Sequence, residues 1–256
     1  KVLEQSSSPS SGIHSNLLFA TNYSNDYSPQ DVYEAHIQWA TTHEAPIMEE
    51  RFPPLPPADK KLRIGFLSAD FKLHSVAFFI APIIEEHRKR NQVDVYCYSD
   101  VSNPDSMTQQ IQNAAVCFHS THGCTDRKVA DQIRKDEIDI LIDLAGHSSE
   151  NRLLLFAQKP APIQATYLGY PNTTGMSSIQ YRITDSNADP APQADALNSE
   201  TLLRLPNGFH CFGPPKASPE VGPLPALSKG HITVGSFNNL AKVTPEVVEL
   251  WAKLLH

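Results

Sequence analysis

Leu62-Arg63-Ile64-Gly65-Phe66-Leu67-Ser68-Ala69-Asp70-Phe71-Lys72-Leu73-His74-Ser75 decides the fold. Residues 62–68 read as a buried strand. Residues 75–87 read as a helix with a long apolar face. The polar turn between them puts His74 just past the carboxyl end of the first strand of a parallel sheet, the edge where open α/β sheets bind ligands. Imidazole is the side chain most readily used as an acid or base near neutral pH. The turn holds no Gly-x-Gly-x-x-Gly, so it is not built to wrap a dinucleotide pyrophosphate.

Downstream, short apolar runs alternate with helical patterns to about residue 206. Strands are predicted at 93–98, 116–119, 138–144, 163–168 and 181–184, with helices at 126–135 and 151–158 and a polar helical stretch at 109–114. Such alternation predicts a doubly wound, Rossmann-like α/β sheet. Upstream, residues 1–12 are Ser-rich and expected to be mobile. One helix is expected within 14–43, starting at Ser28-Pro29, with Val32, Ala35, His36 and Trp39 on one face. Phe52-Pro53-Pro54-Leu55-Pro56-Pro57 is a stiff linker. The chain thus divides into a tail, helical segment and linker (1–60), a Rossmann-like lobe (61–206), a Pro/Gly-rich linker (207–230) and the start of a second unit (231–256). In that last unit, 232–237 read as a strand, and Thr244-Pro245 opens a helix. One strand and one helix cannot bury their own faces, so the remainder of a second domain is expected to be missing.

Bulk properties exclude several classes. The 256 residues are 40% hydrophobic, enough for a core, and carry a net charge of −7 that argues against nucleic-acid binding. No apolar run reaches membrane-spanning length, and no apolar h-region follows the first residues. Four scattered cysteines make no disulfide framework. A soluble protein of a reducing compartment, cytoplasmic in location, is expected.

Four further segments carry chemistry. Asp143-Leu144-Ala145-Gly146-His147-Ser148 again ends a strand in a Gly turn and a histidine, so His147 and His74 are expected on one cleft edge. Leu168-Gly169-Tyr170-Pro171-Asn172-Thr173-Thr174-Gly175 offers backbone and hydroxyl donors to a diphosphate or a sugar, or is a plain turn. Phe237-Asn238-Asn239-Leu240-Ala241-Lys242 places an ammonium just ahead of a helix N-terminus, which is an anion-binding arrangement or, on these residues alone, a solvated surface lysine. Cys117, His119, His122 and Cys124 are four metal-ligand types in eight residues, but their spacing matches no common zinc site. The chain has no Asp-x-Asp to hold a metal on a diphosphate, which favours metal-independent chemistry with no cofactor.

In this order, residues 68–77, 140–148, 160–175 and 235–242 resemble the O-linked N-acetylglucosamine transferase family, above all its bacterial members with tetratricopeptide repeats. The resemblance implies a GT-B architecture and inverting transfer of a sugar, N-acetylglucosamine foremost, from a UDP donor to Ser or Thr hydroxyls of a protein acceptor. It implies His74 as the active-site histidine and Lys242 as the diphosphate-binding lysine, Asn239 where many members place a uridine-contacting glutamine, and His147, Tyr170, Thr173 and Thr174 along the sugar and acceptor side. Departures accompany it. Asn239 is one methylene shorter than glutamine, Ala241 stands where some members have tyrosine, Ser75 replaces the proline of animal members, and Phe78 replaces their second histidine. A carboxyl-terminal lobe and amino-terminal repeats are expected as missing partners, and this stretch alone is not expected to turn over. The competing readings are a non-catalytic GT-B-derived module that binds protein or sugar, and a flavodoxin-like domain, which leaves the 237–242 segment unexplained.

Overall fold

The computed structural model describes residues 10–44, 52, 57, 60–215 and 218–255. Most of the Ser-rich tail and residues 53–56 of the Pro-rich linker fall outside them.

The alternation of the sequence becomes seven parallel strands: β1 (Leu62–Ser68), β2 (Val93–Ser99), β3 (Cys117–Ser120), β4 (Ile140–Asp143), β5 (Ile163–Tyr167), β6 (Tyr181–Asp185) and β7 (Thr201–Leu205). Their order is β3-β2-β1-β4-β5-β6-β7, parallel throughout. The order reverses between β1 and β4, whose register pairs Leu67 with Asp143. The turns that follow these two strands, one ending at His74 and the other holding Gly146-His147, therefore open side by side at the switch point.

Helices cover both faces. On one face α3 (Ser75–Arg90) and α4 (Ser106–Ala114) bury Val76, Ala77, Ile80, Ile84 and Ile111 against Phe66, Val95 and Ile142. On the other, α5 (Asp126–Lys135) and the single turn α6 (Leu153–Phe156) bury Val129, Ile133, Leu153 and Phe156 against Leu67, Tyr98 and Leu141. Because both sheet faces are covered, the strands read as nearly continuous apolar runs.

Two helices precede the sheet where one was expected. The second, α2 (Pro29–His43), has the anticipated Ser28 cap, completed into a capping box by Asp31. The first, α1 (Ser11–Thr21), starts inside the Ser-rich segment and is capped by Ser10. Leu18 of α1 with Trp39 and Ala40 of α2 sit in the same core cluster as Leu67 and Leu141. Both helices are therefore built onto the sheet.

Two further expectations give way. The helix read at 151–158 shrinks to α6, because Arg152 is drawn into loop contacts and Lys159-Pro160 stops it. Residues 232–237 form no strand, having no neighbouring strand to pair with among the described residues. Beyond β7 come a short helix, α7 (Pro225–Lys229), and α8 (Pro245–Leu255), which starts after Thr244 as expected. No residue of α7 or α8 is buried, and Ile232, Phe237, Leu240 and Leu254 are exposed. Among the described residues no helix is long and apolar enough to cross a membrane. All four cysteines are free.

Candidate functional site

The carboxyl edge of the sheet carries the site. His74 is the N-cap of α3: its Nδ1 accepts the Val76 N–H at 3.3 Å. The same nitrogen lies 3.6 Å from a carboxylate oxygen of Asp70, a side chain only 16% exposed. Burial raises the Asp70 pKa from its ordinary value, against the opposing pull of His74 and Lys72. The loop is held from α4: Asp105 accepts the Leu73 N–H at 2.6 Å while capping α4 through Met107 and Thr108. Lys72 reaches Glu150 at 3.7 Å in the loop after β4.

His147 is placed differently from His74. It is fully buried, and both ring nitrogens are engaged. Nε2 lies 2.8 Å from the Thr174 carbonyl, which can only accept, so Nε2 carries the proton. Nδ1 then accepts the Ser15 hydroxyl at 3.0 Å. Burial and the neighbouring His36 push its pKa down to about 3, so the ring is neutral. Its turn is set by Asp143, buried at the end of β4, which accepts from the Ala145 and Gly146 amides and the Thr166 hydroxyl. Gly146 has φ +53°, and a Cβ there would lie 2.3 Å from Cβ of Tyr170.

Thr173 and Thr174 are also fully buried. Both hydroxyls donate to Glu200, with Thr173 at 2.6 Å, and the Thr174 amide adds a third bond at 2.8 Å. Tyr170 is 5% exposed; its hydroxyl meets Nε2 of His36 at 2.8 Å and accepts from Asn22 at 2.9 Å.

Lys242 lies in a 3-10 turn (Leu240–Lys242) that Asn239 caps by accepting the Ala241 amide at 3.0 Å. The acceptor atom of Asn239 is therefore used locally. Asn25 fastens the start of α8 through Glu246 at 3.1 Å. Lys242 lines a cavity of about 520 Å³ at the carboxyl ends of β5 and β6, together with Ser75, Tyr170, Tyr23, Arg182 and His210. Two of the sequence-predicted site residues, Lys242 and Tyr170, therefore meet at one cleft with Ser75, the residue after His74, while His74 itself and Asn239 are not among its lining residues. His147, Thr173 and Thr174 stand behind that surface.

Sequence reasoning singled out neither Asp70 nor Arg152. A buried acid four residues before a helix-capping histidine was the available signal for Asp70. Arg152 carries none, since its partners are distant in sequence. It bonds Asp100 and Asp126 and the carbonyls of Thr121 and Cys124, joining the loops after β2, β3 and β4. The Cys117–Cys124 segment does not gather its four ligand types. His119 instead lies 2.9 Å from Asp136 and 3.2 Å from Sγ of Cys117. Among the described residues no three His, Cys, Asp or Glu side chains form a metal-binding group.

An open, all-parallel α/β sheet with a cleft at its carboxyl edge is the architecture of one Rossmann-like lobe of the GT-B fold, and solved structures of that fold match it. One such match is a mutant O-GlcNAc transferase of Thermobaculum terrenum, with a TM-score of 0.88 and 35% identity over 96% of this chain and 46% of that one. The chain belongs to glycosyl transferase family 41, whose model matches residues 38–213. It is 40% identical, over 94% of its length, to SPINDLY of Solanum lycopersicum, named as a probable UDP-N-acetylglucosamine–peptide N-acetylglucosaminyltransferase. It is 33% identical, over 77% of its length, to the similarly named SEC of Arabidopsis thaliana. The chain spans 26% of the first relative and 21% of the second. The similarity takes in plant and bacterial proteins alike, and it does not single out the bacterial branch.

Proposed function

We propose that this chain is the acceptor-side lobe of an inverting protein O-glycosyltransferase, which passes a sugar, N-acetylglucosamine foremost, from a UDP donor to Ser or Thr hydroxyls. The observation that carries the reading is the cleft in which Lys242 stands with Tyr170 and Ser75, beside the loop that ends at His74. The relatives are named for that donor and for peptide acceptors.

The acceptor hydroxyl approaches His74. As base, His74 takes its proton on Nε2 while Nδ1–H faces Asp70. The new bond forms at the anomeric carbon as the bond to the β-phosphate oxygen breaks on the opposite side. Lys242 offsets the charge that grows on that oxygen; stabilising developing charge in a dry cleft supplies most of the rate enhancement in many enzymes. Asn239 sits beside Lys242 at the nucleotide end. His147, Thr173 and Thr174 act from behind the cleft, holding the 169–175 loop in place. With an ammonium serving the leaving group, the reaction proceeds without a divalent metal, and chelator leaves turnover unchanged.

Calorimetric titration of the full-length protein with UDP, GDP and their sugar conjugates tests the reading. UDP binding that Lys242→Ala weakens at least tenfold is expected. Binding of GDP in preference to UDP overturns the donor assignment. Binding of no nucleotide favours the non-catalytic module.

A further inference from the structure

His36 touches no solvent, yet its ring decides how one wall of the cleft is presented. Nδ1 lies 2.6 Å from the Val32 carbonyl one turn earlier in α2, and a carbonyl only accepts, so Nδ1 carries the proton. Burial pushes the His36 pKa down to about 4, which leaves the ring neutral and Nε2 with a lone pair. That lone pair takes the Tyr170 O–H, and the Tyr170 oxygen in turn accepts from Asn22. The hydroxyl therefore has its one donor committed to the protein. The ring of Tyr170 has little room to move: it abuts the missing Cβ of Gly146 and packs 6.2 Å from the Phe19 ring, and Phe19 and Tyr170 both line the cleft.

We propose that His36 is a positioning residue for the reaction: its Nδ1–H tautomer fixes the Tyr170 hydroxyl so that Tyr170 offers the cleft an immobile aromatic face, not a free hydrogen-bond donor. The inference rests on the glycosyltransferase reading for its kinetic consequence and on geometry alone for the tautomer. His36 acts entirely through Tyr170, so the two residues form one functional unit.

A double-mutant cycle on kcat/KM in the full-length protein tests it. His36→Leu and Tyr170→Phe are each expected to lower kcat/KM about tenfold, the worth of one well-placed hydrogen bond. The double variant is expected to fall no further than the worse single one. Losses that multiply to about a hundredfold overturn the proposal. Because His36→Leu also perturbs packing, His36→Gln supplies a second comparison. Its amide donates to Val32 and accepts from Tyr170, so most of the lost activity returns. Failure of that rescue in a folded variant overturns the proposal too. Nitrogen-15 NMR of the imidazoles at pH 7.5 reads the tautomer without any turnover: a protonated Nδ1 and bare Nε2 at His36 support the assignment, and the reverse pattern refutes it. A wild-type protein that transfers no sugar but shows the expected tautomer sinks the functional reading and leaves the geometric assignment standing.

Discussion

The Asp70 carboxylate stands 3.6 Å from Nδ1 of His74, the same nitrogen that caps α3 by accepting the Val76 amide at 3.3 Å. One nitrogen cannot do both. While it caps, the ring proton sits on Nε2; when Nε2 takes a proton from a substrate, Nδ1 must hold its own proton toward Asp70 and release the cap. Asp70→Asn removes the charge that favours this second state and is expected to lower kcat by about 10–100-fold, within the usual worth of a positioned base. Its stability effect has a definite sign. Burial raises the folded-state pKa of Asp70, so its favourable contribution exists below the unfolded value near 3.8 and is lost as pH rises through the folded one. The Asn variant should therefore gain stability relative to wild type between pH 3.5 and pH 7 in urea titrations. A relative loss at pH 7 would show that the carboxylate is held by its partners and not strained by burial.

In the proposed reaction Lys242 acts on the leaving group and His74 on the acceptor, and their deletion should cost different amounts. Lys242→Ala is expected to lower kcat by about 10²–10³-fold, the usual cost of removing a charge-stabilising donor. His74→Gln keeps a polar cap on α3 and should cost clearly less. Equal and small losses in steady-state kinetics would remove the leaving-group role from Lys242.

Two buried imidazoles make the fold acid-sensitive. The folded-state pKa values of His36 and His147 are pushed down to about 4 and about 3, from 6.5. A depressed value means that the unfolded chain binds protons first. Stability is therefore full above pH 6.5 and falls as pH drops toward 4. Within that window His36→Gln should flatten the plot of unfolding free energy against pH by about 1.4 kcal/mol per pH unit, the linkage of one proton. An unchanged slope in denaturant titrations at pH 4.5–6 would mean that His36 is already protonated in the fold.

Two glycines should respond in opposite directions to alanine. Gly146 has φ +53°, and its added Cβ would meet Tyr170 at 2.3 Å, so Gly146→Ala should cost about 2–3 kcal/mol or prevent folding. Gly12 lies in α1 with nothing within 4 Å of an added Cβ, so Gly12→Ala should add about 0.5–1 kcal/mol. Thermal melts of the pair decide it; a tolerated Gly146→Ala would mean that the Tyr170 loop yields.

The strands were legible where both sheet faces are covered: the Leu62–Ser68 and Ile140–Asp143 runs are apolar except for Arg63, Ser68 and Asp143. β7 was not read because it lies at the sheet edge, where Leu202 alone of its five residues is buried. α1 escaped because its first turn is Ser-Gly, a composition that suggests a tail. The switch-point turns were found because strand ends and turn residues are local signals. Which polar side chains face the cleft was not legible, because Ser15 is 132 residues from His147 and Glu200 is 26 from Thr174. A histidine after a strand looks the same in sequence whether it opens onto ligand or is walled in by a helix from the other end of the chain.

Arg152 gives the carboxyl edge a property that matters to anyone redesigning it. One guanidinium, its side chain 11% exposed, closes on Asp100, Thr121, Cys124 and Asp126. The three loops it joins thus form a single mechanical part, and a peptide tag or grafted segment placed in any one of them will be felt in the other two. The exposed stretch around Val221 and Gly222, which touches none of them, is the better place to insert foreign sequence.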